Sequence, residues 1–128
     1  MNTILMIDDE KDFGFFVKST LELTNKFRVL LATEGKLGVK VARRKNPDLI
    51  LLDIMMPKMN GFEVLKALKE DPTTASTPIV MLTARDDEES MLKAVEWYAV
   101  HYIVKPIEMD YLAVEIETIL SALRLRRG

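Results

Sequence analysis

No cysteine occurs anywhere in this 128-residue chain. That excludes disulfides, thiol nucleophiles and thiolate-held metals, and it agrees with a reducing compartment. Long apolar runs are missing too. None approaches the ~20 residues needed to cross a bilayer. The opening Met1-Asn2-Thr3 lacks the basic segment of a signal peptide, because Ile4–Ile7 runs straight into Asp8-Asp9-Glu10. These absences predict a cytoplasmic protein with no membrane partner. No sign of charge dominates: the net charge of −2 offers no electrostatic reason for this domain to bind nucleic acid. The one basic cluster, Arg124, Arg126 and Arg127, reads either as a solvated helix end or as a linker into a second domain.

Glycine-rich phosphate loops are also absent; neither G-x-G-x-x-G nor G-x-x-x-x-G-K-[ST] occurs. After the first apolar run, where such a loop would offer amide donors to a nucleotide or flavin phosphate, stand carboxylates. They would repel a bare phosphate and attract a cation.

What is present is the balance of a globular domain, 48% hydrophobic and 30% charged. A single domain spanning residues 1–128 is expected, large enough to bury about two-thirds of its unfolded surface. Short apolar runs alternate with amphipathic stretches. The runs Ile4–Ile7, Val29–Ala32, Leu49–Leu52, Ile79–Leu82 and Tyr102–Val104 read as strands. Between them, helices are expected from about Lys11 to Thr24, Glu34 to Lys45, Gly61 to Glu70 and Asp86 to Trp97, with a last one from about Met109. In the first helix Phe13, Val17 and Leu21 fall four apart, with Phe16 and Thr20 on the same side; in the last, Leu112, Ile116, Ile119, Leu120 and Leu123 form a core stripe. The eight methionines read mostly as core gap-fillers. Five βα units in a row predict a doubly wound α/β fold, with a parallel sheet covered by helices on both faces.

In such a sheet, ligands bind outside the carboxyl ends of the strands. The first strand ends in Asp8, Asp9 and Glu10, the third in Asp53, the fourth in Thr83-Ala84 and the fifth in Lys105-Pro106. Two carboxylates ~5 Å apart repel by roughly 3 kcal/mol at an effective dielectric of ~20. Several acids on one rim would therefore cost a large part of a typical ~5–15 kcal/mol stability unless something positive relieved them. All-oxygen ligands point to a hard cation, Mg²⁺ first and Mn²⁺ as the alternative. Taken singly, each residue has a plainer reading. Asp8 and Asp9 would cap a helix, Asp53 would open a turn before Pro57, and Lys105-Pro106 would be a turn. All four coinciding at strand ends argues for a site.

The run Leu52-Asp53-Ile54-Met55-Met56-Pro57-Lys58-Met59-Asn60-Gly61, preceded by Asp8-Asp9 and followed by Thr83-Ala84 and Lys105-Pro106, resembles the receiver domains of two-component response regulators. The resemblance covers almost the whole chain. It implies a flavodoxin-like (βα)5 fold of strand order 2-1-3-4-5. It further implies that Asp53 is the phosphoacceptor, and that Asp9, Asp53 and the Met55 carbonyl bind the metal, with Asp8 acting partly through water. Thr83 and Lys105 would engage phosphoryl oxygens, and Thr83 and Tyr102 would form a switch pair. Pro57, Gly61 and Pro106 are read as structural, Gly61 supplying either a positive φ or a close backbone approach. His101 reads as a loop residue rather than a relay histidine.

The implied function is phosphorelay signalling rather than enzymatic turnover. The expected partners are a histidine kinase or histidine phosphotransfer protein and a downstream effector. The rival readings are a metal-dependent phosphohydrolase and an unphosphorylated binding scaffold. Tyr98-Ala99-Val100-His101 stands where receivers often carry Gly-Ala-Asp-Asp, which speaks against the dimerisation that such acids support. Trp97 and Tyr98 read either as core packing or as a partner or homodimer contact on the face of the fourth helix, fifth strand and fifth helix.

Overall fold

Each of the five apolar runs forms a strand in the computed structural model, which describes residues 1–56, 58–84, 88–98 and 100–127, without the side chains of 88, 90, 97, 126 and 127. The elements are β1 (Asn2–Ile7), α1 (Lys11–Glu22), β2 (Phe27–Ala32), α2 (Gly35–Lys45), β3 (Leu49–Asp53), α3 (Gly61–Glu70), β4 (Ile79–Thr83), α4 (Glu88–Tyr98), β5 (His101–Val104) and α5 (Met109–Arg127). All neighbouring strands pair in parallel in the order β2-β1-β3-β4-β5. Among the described residues no helix is long and apolar enough to cross a membrane.

Alternation along the strands builds two cores. Leu5, Ile7, Ile50, Leu52 and Met81 face α2, α3 and α4, packing with Val39, Val64, Leu68 and Met91. Ile4, Met6, Leu49, Leu51 and Leu82 face α1 and α5, packing with Val17, Leu21, Leu112 and Ile116. The central strands are apolar throughout because both faces are covered.

Several boundaries and burials differ from the sequence reading. β1 and β2 start two residues earlier because Asn2 pairs with Phe27. α1 stops at Glu22; Thr24 folds its hydroxyl back onto the Leu21 carbonyl at 2.9 Å, and Asn25 turns left-handed at φ 57°. Phe16 is 54% exposed, since Val17, Leu21 and Gly14 are the α1 residues that meet the sheet. His101 is not in a loop: it opens β5, paired with Val80, with its side chain exposed. Of the methionines, Met6, Met56, Met81 and Met91 are buried, whereas Met1 and Met55 are exposed. Tyr98 is half-buried and packs against the α2–α4-side core. The Trp97 side chain, Pro57 and the expected helix start at Asp86 lie outside the described residues.

The outer edge of β2 carries an unexpected feature. Lys26 and Ala32 turn their carbonyls toward β1, accepting from Asn2 and Asp8, so alternation turns the peptide groups of Val29 outward. The Lys18 ammonium donates to the Val29 carbonyl at 2.7 Å and to Glu22 at 2.9 Å. The Glu22 carboxylate in turn accepts from the Val29 amide at 2.9 Å.

Candidate functional site

The sheet reverses direction of growth between β1 and β3, which opens a crevice at their carboxyl ends. The register places Ile7 opposite Leu52, so the next residues, Asp8 and Asp53, fall side by side. One carboxylate oxygen from each of Asp8, Asp9 and Asp53 lies within 4.8 Å of the others. Asp8 and Asp53 are buried, at 3% and 5% exposure, and Asp9 is half-buried. The acid crowding expected from the sequence is therefore present.

The helix-capping reading of these acids does not hold. Glu10 is the N-cap of α1, without a side-chain cap bond. Asp8 instead accepts the Glu10 amide through Oδ1 at 2.9 Å. Its Oδ2 is buried and has no hydrogen-bond partner among the described residues. Burial pushes the Asp8 carboxyl up from 3.8 to about 6, against the pull of the Glu10 amide, and the neighbouring Asp53 and Asp9 push it the same way. Burial also raises Asp53, although Lys105 opposes that shift.

Lys105 follows β5, with its amide bonded to the Thr83 carbonyl at 2.7 Å and a cis bond to Pro106. Its ammonium reaches Asp53 Oδ1 at 3.1 Å. It also stands 5.1 Å from the centroid of the Phe13 ring. Phe13 escaped the sequence reading because its four-residue spacing to Val17 marks it as core. Its only other signal is a place one turn into the helix that begins beside the acids.

Thr83 is buried beside this rim, its hydroxyl donating to the Ala84 carbonyl at 3.0 Å. Tyr102, in β5, packs partly against the α4-side core. Between Asp53 and α3, the Gly61 amide bonds back to the Ile54 carbonyl at 2.8 Å. Lys58 takes φ 65°, and Asn60 and Glu63 cap α3 reciprocally. Gly61 answers the two readings left open for it. No described glycine has positive φ, and a Cβ here would stand 2.5 Å from Ile54 Cα and 2.7 Å from the Asp53 carbonyl oxygen. Close approach is the reason for glycine. Met55 lies in this stretch with its side chain 67% exposed.

Three carboxylates around one small space, one of them with an orphaned buried oxygen, suit a small divalent cation that takes oxygen ligands. The model of the response regulator receiver domain matches residues 4–117. The chain belongs to the response regulator receiver family. Over 121 residues, 94% of its length, this receiver is 36% identical to response regulator ArlR of Staphylococcus haemolyticus, covering 53% of that protein. It is 38% identical over 120 residues, again 94% of its length, to the transcriptional regulatory protein CpxR of Escherichia coli, covering 50% of it. The chain thus spans about half the length of these curated relatives. A crystallised response regulator receiver domain from Clostridium thermocellum superposes with a TM-score of 0.89 at 26% identity, over 98% of both chains. Receivers of this family serve two-component signalling, in which magnesium and phosphorylation are general and the partners are histidine kinases and effector domains.

Proposed function

We propose that this receiver accepts a phosphoryl group on Asp53 from a histidine kinase or a histidine phosphotransfer protein. The observation that carries the reading is the triad of buried Asp8, half-buried Asp9 and buried Asp53, with the Lys105 ammonium on Asp53. A carboxylate oxygen of Asp53 attacks phosphorus, an O–P bond forms, and the bond from phosphorus to the donor imidazole breaks with its electrons staying on nitrogen. Asp53 must be ionised to attack, and Lys105 favours that form against burial.

Asp9, Asp53 and the Met55 carbonyl would hold Mg²⁺ or Mn²⁺, with Asp8 acting partly through water. The orphaned Asp8 oxygen supports a cation there. When bound, the ion supplies positive charge against the equatorial phosphoryl oxygens. Lys105 would pair with one such oxygen. Thr83 would leave the Ala84 carbonyl for another, and Tyr102 would turn into the vacated space. That two-state packing change alters the face of α4, β5 and α5; among exposed apolar side chains, α4 carries Leu92, and α5 carries Tyr111 and Val114. A downstream effector or a second copy would read that face.

Residues 1–128 act as one receiver unit in this reading. The phosphoryl chemistry is self-catalysed acceptance and loss, not turnover of an external substrate. A phosphohydrolase of the haloacid-dehalogenase kind typically places a proton donor two residues after the nucleophile, where this chain has Met55.

Incubation with Mg²⁺ and acetyl phosphate, followed by intact mass measurement, tests the reading. One added phosphoryl is expected, and none on Asp53→Asn. Rapid multiple turnover would favour the phosphohydrolase, and no adduct the binding scaffold.

A further inference from the structure

Lysine side chains are long, and a third of the Lys105 side chain is open to solvent. A second constraint on its ammonium would favour the position at Asp53 over exchange into water. That constraint is an aromatic face. Phe13 is half-buried in the α1–α5 core alongside Ile107 and Met109, which follow Lys105 in the chain. Its ring centroid stands 5.1 Å from the Lys105 nitrogen, inside the ~6 Å range over which a ring quadrupole attracts a cation.

We propose that Phe13 is a positioning residue for Lys105, holding its ammonium over Asp53 before phosphoryl transfer begins. The proposal rests on the reading of Asp53 as phosphoacceptor. An aliphatic residue at position 13 would fill the same core space but present no negative π face. The ammonium then lies between two attractors, the carboxylate at 3.1 Å and the ring. Order at Lys105 before reaction removes a reorganisation that would otherwise fall within the activated step. Phe13 also joins the start of α1, which follows the acids, to the lysine from the far side of the sheet.

The experiment replaces Phe13 with mono-, di- and trifluorophenylalanine, and separately makes Phe13→Leu and Phe13→Tyr. Fluorine drains the ring face while nearly preserving its volume. Two quantities are read: the NMR shift of the Lys105 ε-methylene, and the rate of adduct formation from acetyl phosphate at saturating Mg²⁺. The Lys105 signal is expected upfield in the unmodified protein and in Phe13→Tyr, and near its random-coil position in Phe13→Leu. The rate is expected to fall stepwise with fluorination, by about two- to five-fold in all, and to fall similarly in Phe13→Leu but not in Phe13→Tyr. Equal rates across the series, with an adduct still forming on Asp53, overturn the positioning role and leave the acceptor reading intact. An unshifted Lys105 signal in the unmodified protein overturns it without any phosphorylation measurement. Failure of the unmodified protein to form an adduct at all refutes the acceptor reading instead.

Discussion

Lys105 reaches 3.1 Å to Asp53 across the end of an intervening strand, since β4 lies between β3 and β5 in the sheet. The ion pair is thus a tie between the two ends of the site rather than a contact of neighbours. Replacing Lys105 with Met should leave the acids unopposed. The metal-free protein should lose about 1–3 kcal/mol, less than a fully buried pair because the lysine is a third exposed. The rate of phosphorylation should fall about 100-fold. Urea unfolding and intact mass measure the two effects.

Asp8 carries a second expectation, and its direction follows from its raised carboxyl. Without a metal, burial holds the Asp8 carboxyl at about 6 in the folded protein, whereas the unfolded chain releases its proton near the ordinary value. Ionised Asp8 therefore destabilises the fold fully above that range, and the penalty fades as pH falls from about 6 towards 3.8. Asp8→Asn should be more stable than the parent at pH 7.5 by up to about 3 kcal/mol. The difference should close near pH 4. Added Mg²⁺ should raise the melting temperature of the parent more than that of the variant. A parent and variant with parallel pH–stability curves would contradict this account.

Gly61→Ala should disturb the chain just after Asp53 directly. Its Cβ would press on the backbone of Ile54 and Asp53, not on a flexible side-chain end. A loss of about 1–3 kcal/mol is expected from such overpacking, together with slower phosphorylation, because Asp53 itself must shift. Denaturant midpoints and adduct kinetics check both parts.

Much of this site can be read from residue order alone, for a physical reason. A parallel sheet brings every strand's carboxyl end to one rim, so Asp8, Asp9, Asp53, Thr83 and Lys105 had to converge once the five strands were recognised. Side-chain direction is less legible. The four-residue rhythm of α1 holds for Val17 and Leu21 but not for Phe16, which the packing leaves outside. Phe13 shares that rhythm yet also serves the lysine, and periodicity has no term for a ring beside a distant cation. Lys18 and Glu22 look like a routine pair one helical turn apart. Only the fold reveals that both point at a strand.

Glu22 supplies the last expectation. Its carboxyl is held below the usual range, first by the Val29 amide and then by Lys18. The bond is therefore intact above the ordinary carboxylate value of 4.5 and lost as pH drops through the lower folded one. Glu22→Ala combined with Lys18→Ala should speed hydrogen exchange at the Val29 amide and make sedimentation depend on concentration.

An open strand edge is a template on which other chains can align and polymerise. At Val29 this molecule supplies its own counterfeit rung, an ammonium and a carboxylate standing where a neighbour's amide and carbonyl would go. By filling that seam, the pair denies an incoming strand both of its bonding partners at Val29.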